Sequence, residues 1–379
     1  MGRTVLVLGG GVGGVVAAHR LRRRLRSDDR VVIVDREAQH LFQPSLLWVV
    51  TGRRTPREIQ RPLDRLARRG IEVLRGEITG LDPERRRARV NGSEITADAL
   101  VISLGADLDP GAIPGLAAGG HNLYSLDGAL AIRDALAGSP GHRVVVLTAA
   151  PAYKCPAAPY EAAMLVNDIV RHRGGAVTIY AAEPGPMATA GPEMSKAVRA
   201  MVEGSGIAYH PDHQVASVNA PDRVLNFANG ASAGYDLLIY VPPHRAPAVL
   251  REAGLVAGTG WVAVDPHTLA TPASGVFAIG DATGIPIPSG KLLPKAGVFA
   301  NRQAEVVAEN LAATWAGSEP RHRFDGVGAC FIETGGGRAG YGSGDFYAAP
   351  MPRMRLRAPA RRWHWGKVLF EKQWLRRWF

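Results

Sequence analysis

Short runs of consecutive apolar residues punctuate the chain at positions 5–8, 31–34, 99–102 and 144–147. Such runs mark strands covered on both faces, as in a parallel sheet, rather than strands with one wet face. Helical spacing follows the first run over residues 15–25 and the fourth over residues 158–172. Residues 78–98 read as short strands inserted before the third run. Strand, helix and strand in this order predict an α/β fold with two Rossmann-like units. The last stretch is different in kind. Trp363, Phe370, Trp374 and Trp378 fall on one helical face, and Trp365, Val368, Leu369, Leu375 and Phe379 widen it. Lys and Arg fill the remainder, the pattern of a helix lying in a membrane interface.

The first strand runs into Gly9-Gly10-Gly11-Val12-Gly13-Gly14, and the second ends in Asp35. Gly9 permits the tight turn, Gly11 lets backbone approach a pyrophosphate, and Gly14 allows close helix–strand packing. The helix N-terminus faces phosphate charge, and Asp35 is placed to accept ribose hydroxyls. A dinucleotide site is therefore expected here. The strand at 144–147 has no such turn after it. Pro151, Pro156 and Pro159 stand there instead, removing amide donors, so a nicotinamide nucleotide is not expected to bind. Cys155 occupies the fingerprint's place. A helix N-terminus after it and Lys154 beside it predict a lowered thiol pKa and a reactive role.

Composition and charge alter the picture in three places. The chain has only two cysteines, Cys155 and Cys330, so pairing between them would be redox chemistry rather than stapling. No signal peptide is visible and no window reaches the roughly 18 apolar residues of a spanning helix, so membrane contact would be peripheral (monotopic). Residues 351–379 hold nine Lys or Arg against Glu371 alone, +8 of the chain's +11. The basic character belongs to the tail, and the body lacks the spread cations that nucleic acid would require. No metal site is expected, and a homo-oligomer is compatible with the pattern.

Residues 271–281, ending in Gly280-Asp281, resemble the second flavin motif of the disulfide-reductase-type flavoproteins, in which the Asp holds the ribitol chain. Residues 99–106, with Gly105, resemble that group's motif returning the chain to the second domain. At Lys154-Cys155-Pro156-Ala157-Ala158-Pro159-Tyr160-Glu161 the likeness becomes specific. This segment and residues 328–335 around Cys330 resemble the two redox-cysteine segments of sulfide:quinone oxidoreductases and of flavocytochrome c sulfide dehydrogenases. Residues 293–304, with Lys295, look like the helix that starts under the flavin pyrimidine.

The resemblance implies FAD as cofactor, held by Gly9, Gly11, Gly14, Asp35, Gly105, Gly280, Asp281 and Lys295. It implies an FAD domain at 1–106 and 256–325 and a second Rossmann-like domain at 107–255. Residues 326–379 would carry Cys330 and the membrane helix. Cys155 and Cys330 would form the redox pair that oxidises sulfide to polysulfide or elemental sulfur, with electrons passing through FAD to membrane quinone. Either cysteine could form the flavin adduct. Lys295 would offset charge on reduced flavin, Glu161 would shuttle protons, and Phe331 and Phe346 would lie near the quinone ring. Three rivals stay open: a sulfide dehydrogenase flavoprotein subunit reducing cytochrome c, a type II NADH:quinone oxidoreductase, and a non-catalytic flavin-binding adaptor. Missing the second fingerprint counts against the NADH enzyme.

Overall fold

The computed structural model describes residues 2–138 and 143–379. Thr4–Leu8 (β1), Val12–Arg24 (α1) and Arg30–Asp35 (β2) form the first βαβ unit. Leu46–Val50 (α2), Glu72–Arg75 (β3) and Ala99–Ile102 (β4) follow. The second unit comprises His121–Asn122 (β5), Arg143–Thr148 (β6), Ala158–Val170 (α3), Ala176–Ala181 (β7), Ala208–His210 (β8) and Leu237–Val241 (β9). The chain returns through Val276–Ala278 (β10) and Gly297–Trp315 (α4). It closes with Val327–Gly335 (β11), Arg338–Asp345 (β12), Arg353–Ala360 (β13) and Arg361–Trp378 (α5).

Two five-stranded sheets result, ordered β10-β4-β1-β2-β3 and β5-β9-β6-β7-β8. All their pairings are parallel. Val5, Leu6, Val7 and Leu8 are fully buried, as an uninterrupted apolar run requires when both faces are covered. Helix α1 begins at Val12, earlier than residue 15, with Gly11 as its N-cap. The glycine turn thus delivers the helix N-terminus directly to the end of β1. Residues 78–98 form a three-stranded antiparallel insert, and β11, β12 and β13 form another antiparallel sheet.

Helix α5 departs from the membrane-face expectation. Trp374 and Trp378 are only 5% exposed and face the protein. Trp374 stacks on His40 at 4.9 Å and meets Phe42, while Trp378 meets His19 at 5.3 Å. Trp363 stacks on Tyr341, and Gly366 leaves room for Phe331, whose ring lies 3.1 Å from where a Cβ would stand. The apolar stripe is divided. Its inner edge docks α5 on the body, and only Trp365, Leu369 and Phe370 remain exposed, at 66%, 54% and 45%. Glu371, the tail's single acid, is an anchor: it accepts from Ser45 Oγ at 2.7 Å and from Arg54 at 2.8 Å. Among the described residues no helix is long and apolar enough to cross a membrane.

Candidate active site

One cavity of about 2080 Å³ runs from the first glycine turn to α5. Single small-molecule sites measure roughly 300–1,000 Å³, so this one has room for a dinucleotide and a second molecule. Its walls include Gly9, Gly11, Asp35, Gly105, Gly280, Asp281, Lys295, Cys155, Glu161 and Cys330. Gly14 lies behind the wall, where a Cβ would stand 1.8 Å from the Gly9 carbonyl oxygen. Its place is the close helix–strand packing that supports the turn. Gly9 has φ +105°, open to glycine alone, and nothing lies within 4 Å of a Cβ built on Gly11. Asp35 accepts the Gly10 N–H, which leaves its other oxygen on the Glu37 N–H at 2.7 Å. An open glycine cradle at a helix N-terminus, with a carboxylate beside it, fits the pyrophosphate and ribose of FAD.

Cys155 sits in a clamped loop. Its backbone is left-handed, φ +47°, its N–H donates to the Lys295 carbonyl at 2.6 Å, and Tyr124 Oη donates to its own carbonyl at 3.1 Å. Cys330 reaches the same cavity from β11. Both are free thiols. The expectation of a lowered thiol pKa is corrected: burial, with the nearby Glu161 carboxylate, pushes each of them up to about 12. Lys154 lies over the Tyr124 ring, and the cation that opposes the rise at both sulfurs is Lys367 of α5.

Glu161 is buried on α3. Its Oε1 accepts the Glu333 N–H at 2.9 Å and the Lys367 ammonium at 2.6 Å. Burial still pushes its carboxyl up against the pull of Lys367. Glu333, also buried, accepts from His364 Nδ1 at 3.0 Å. Lys367 and Glu161 thus form a buried ion pair near both sulfurs, and Glu333 joins it through its backbone N–H. Lys295 precedes the start of α4 rather than lying in it. Its ammonium donates to the Asp281 and Thr283 carbonyls at 2.7 and 3.0 Å and lies 3.2 Å from the Trp261 ring centroid. Desolvation lowers its pKa to about 7. Phe346 is corrected too: it packs against Phe299 in the core, and Phe370 joins Phe331 on the cavity wall instead.

Several residues of this site escaped the sequence reading. Lys367 reads in the sequence as one more tail cation, and Glu333 stands in the Cys330 segment without a local sign of its partner. His40 lines the cavity, donating or accepting at Nδ1 with the Gly10 carbonyl, and burial lowers its pKa to about 4.

At the second Rossmann-like turn the structure holds its own side chains. Glu183, just beyond β7, is buried and accepts from Thr148 Oγ1 at 2.8 Å, Tyr160 Oη at 2.7 Å and Tyr153 Oη.

The fold and site define a flavin-dependent oxidoreductase with two thiols in its cavity. Residues 3–304 match the family model described as pyridine nucleotide-disulphide oxidoreductase, and the chain belongs to that family. Within it, the chain is similar to the sulfide-quinone reductase of Aquifex aeolicus, 27% identical over 99% of this chain and 91% of the relative. The mitochondrial sulfide:quinone oxidoreductase of Mus musculus is 27% identical over 92% of this chain and 79% of its own length. The crystal structure of the sulfide:quinone oxidoreductase from Aquifex aeolicus superposes with a TM-score of 0.88 at 24% identity, covering 99% of this chain and 91% of that one.

Proposed function

We propose that this protein is a sulfide:quinone oxidoreductase. The observation that carries the reading is the meeting of Cys155, Cys330 and a glycine cradle in one cavity, across the whole length of the sequence. Residues 1–106 and 256–325 hold FAD, residues 107–255 present Cys155, and residues 326–379 supply Cys330 and the membrane-facing helix. Gly9, Gly11, Asp35, Gly105, Gly280, Asp281 and Lys295 hold the cofactor, with Gly14 supporting the turn. Bound FAD supplies a two-electron acceptor for the cysteine pair and a donor to quinone.

Hydrosulfide attacks one sulfur of an oxidised Cys155–Cys330 pair. A bond forms between the incoming sulfur and that cysteine, the bond between the cysteines breaks, and the other cysteine leaves as thiolate. Sulfide sulfur is thereby oxidised by two electrons and the pair reduced by two. The thiolate needs a cation in a cavity that disfavours charge, and Lys367 is that cation. Glu161, with its pKa raised, takes the proton of the incoming hydrosulfide and releases it toward product. Phe331 and Phe370 offer aromatic surface to a quinone ring near the exposed edge of α5, where Trp365 and Leu369 meet the bilayer that carries the quinone.

The test is anaerobic addition of sulfide, and separately NADH, to the flavin-loaded protein while flavin absorbance is followed. Sulfide bleaches the flavin, a quinone analogue restores it, and NADH has no effect. Cys155→Ser and Cys330→Ser each lower the sulfide-dependent rate by at least about a thousandfold. Bleaching by NADH alone, or unchanged rates in both variants, would remove the reading.

A further inference from the structure

A second cavity of about 810 Å³ opens where α5 meets the segment following α2. Among the described residues, Arg57, Arg65, Arg69, Lys372 and Arg376 on its walls have no carboxylate within ion-pair distance. The two acids present are already engaged. Glu371 is held by Arg54 and Ser45, and Glu58 accepts from the Thr55 N–H at 2.8 Å and from its hydroxyl at 3.0 Å. A concavity lined by like charges focuses their field and draws an anion into it. Guanidinium forks grip phosphate oxygens in pairs, which suits a phosphodiester better than a small halide.

The surroundings select among phosphate sources. Trp365, Leu369, Lys372 and Arg376 follow at helical spacing along the outer line of α5. The line is apolar and exposed at its first two positions and cationic at its last two. Leu375 and Phe379 add apolar surface to the cavity itself. A free phosphate has no use for the apolar half. A phospholipid uses both: the headgroup fills the basic cavity while neighbouring acyl chains receive Trp365 and Leu369.

We propose that this cavity is a binding site for the phosphate headgroup of an anionic phospholipid, formed jointly by the 54–69 segment and the end of α5. The proposal rests on the membrane-facing reading of α5 and adds a chemical preference to it. Docked this way, the helix lies with its apolar half lower in the leaflet and its basic half at headgroup level. Arg69 and Arg376 also line the main cavity, so the headgroup would sit beside the entrance used by a membrane-dissolved substrate.

The experiment measures partitioning of the full, flavin-loaded chain onto phosphatidylcholine vesicles with and without phosphatidylglycerol. Low and physiological ionic strength are compared, because screening weakens exposed charges. Combined Arg57→Gln, Arg65→Gln and Lys372→Gln substitutions should weaken partitioning onto the anionic vesicles by about a hundredfold at low salt, at roughly fivefold per cation. Binding to neutral vesicles and flavin content should stay as in the parent. Trp365→Ser with Leu369→Ser should weaken binding to both kinds of vesicle. Equal binding of the parent to neutral and anionic vesicles would overturn the headgroup site and leave the membrane reading standing. Failure of the parent to bind either would overturn both. Stabilisation of the parent but not the triple variant by inorganic phosphate at matched ionic strength, with vesicle binding unchanged by the substitutions, would assign the cavity to a free anion and overturn the lipid.

Discussion

The two Rossmann-like units share a strand arrangement and differ at one turn. Counted outward from the central strand, β1-β2-β3 on one side corresponds to β6-β7-β8, and β4 corresponds to β9. After β1 comes a glycine turn that leaves an open cradle; after β6 comes a proline-rich loop that carries Cys155. Each unit also has a carboxylate at or just beyond its second strand. Asp35 stays on the wall of the large cavity, whereas Glu183 is closed over by Tyr153, Tyr160 and Thr148. The second unit thus keeps the strand frame while its carboxylate is bonded to its own side chains. The same strand frame thus carries two different turns, one open and glycine-rich, the other proline-rich and bearing Cys155.

The largest expected effect breaks the open turn. Gly14→Ala forces a Cβ against the Gly9 carbonyl, and the variant should be recovered without bound flavin, as read by the absorbance of the purified protein. The corresponding break in the second unit should be milder. Glu183→Ala leaves three hydroxyls without their buried acceptor and should lower unfolding free energy by about 3 kcal/mol, measured by denaturant titration. It should retain flavin and gain no reduction by NADH. A variant that did become NADH-reducible would show that this bonding alone had kept NADH from the second unit.

The smallest effect concerns Lys295, whose folded-state pKa is depressed from 10.5 to about 7. Between those values the unfolded chain binds more protons than the folded one, so flavin-free protein should gain stability as pH rises. From pH 7 to pH 9 the gain should be about 2 kcal/mol, and Lys295→Met should abolish it. Below pH 7 both states are protonated and the slope from this residue vanishes. An anion bound nearby would raise the folded pKa and flatten the dependence, so comparing flavin-free with flavin-loaded protein tests the assignment of Lys295 to the cofactor.

What could be read in advance followed from range. The apolar strands, the Gly9, Gly11 and Gly14 spacing, and Asp35 are local patterns whose geometry is fixed within a few tens of residues. The two cysteines were legible because so few exist. The Lys367–Glu161 pair joins residues 206 apart, and neither neighbourhood announces the other. The rise in the thiol pKa is hidden from the sequence for a related reason. Lys154 and a helix N-terminus are visible beside Cys155, but burial and the Glu161 carboxylate arise only in the assembled fold and outweigh them. The stripe on α5 reads as amphipathic, yet periodicity cannot say whether a broad apolar face meets lipid, protein or both.

The docking of α5 across the cavity also orders events during biosynthesis. The glycine turn leaves the ribosome early, and the helix bearing Lys367 and Trp374 emerges only after both parallel sheets have been made. A growing chain therefore offers its cradle before the wall that carries Phe370, Trp374 and Trp378 is in place. His40 and Trp374, stacked in the finished protein, meet only once that wall arrives. Fully folded, empty protein and the chain during synthesis therefore meet flavin with differently walled cavities.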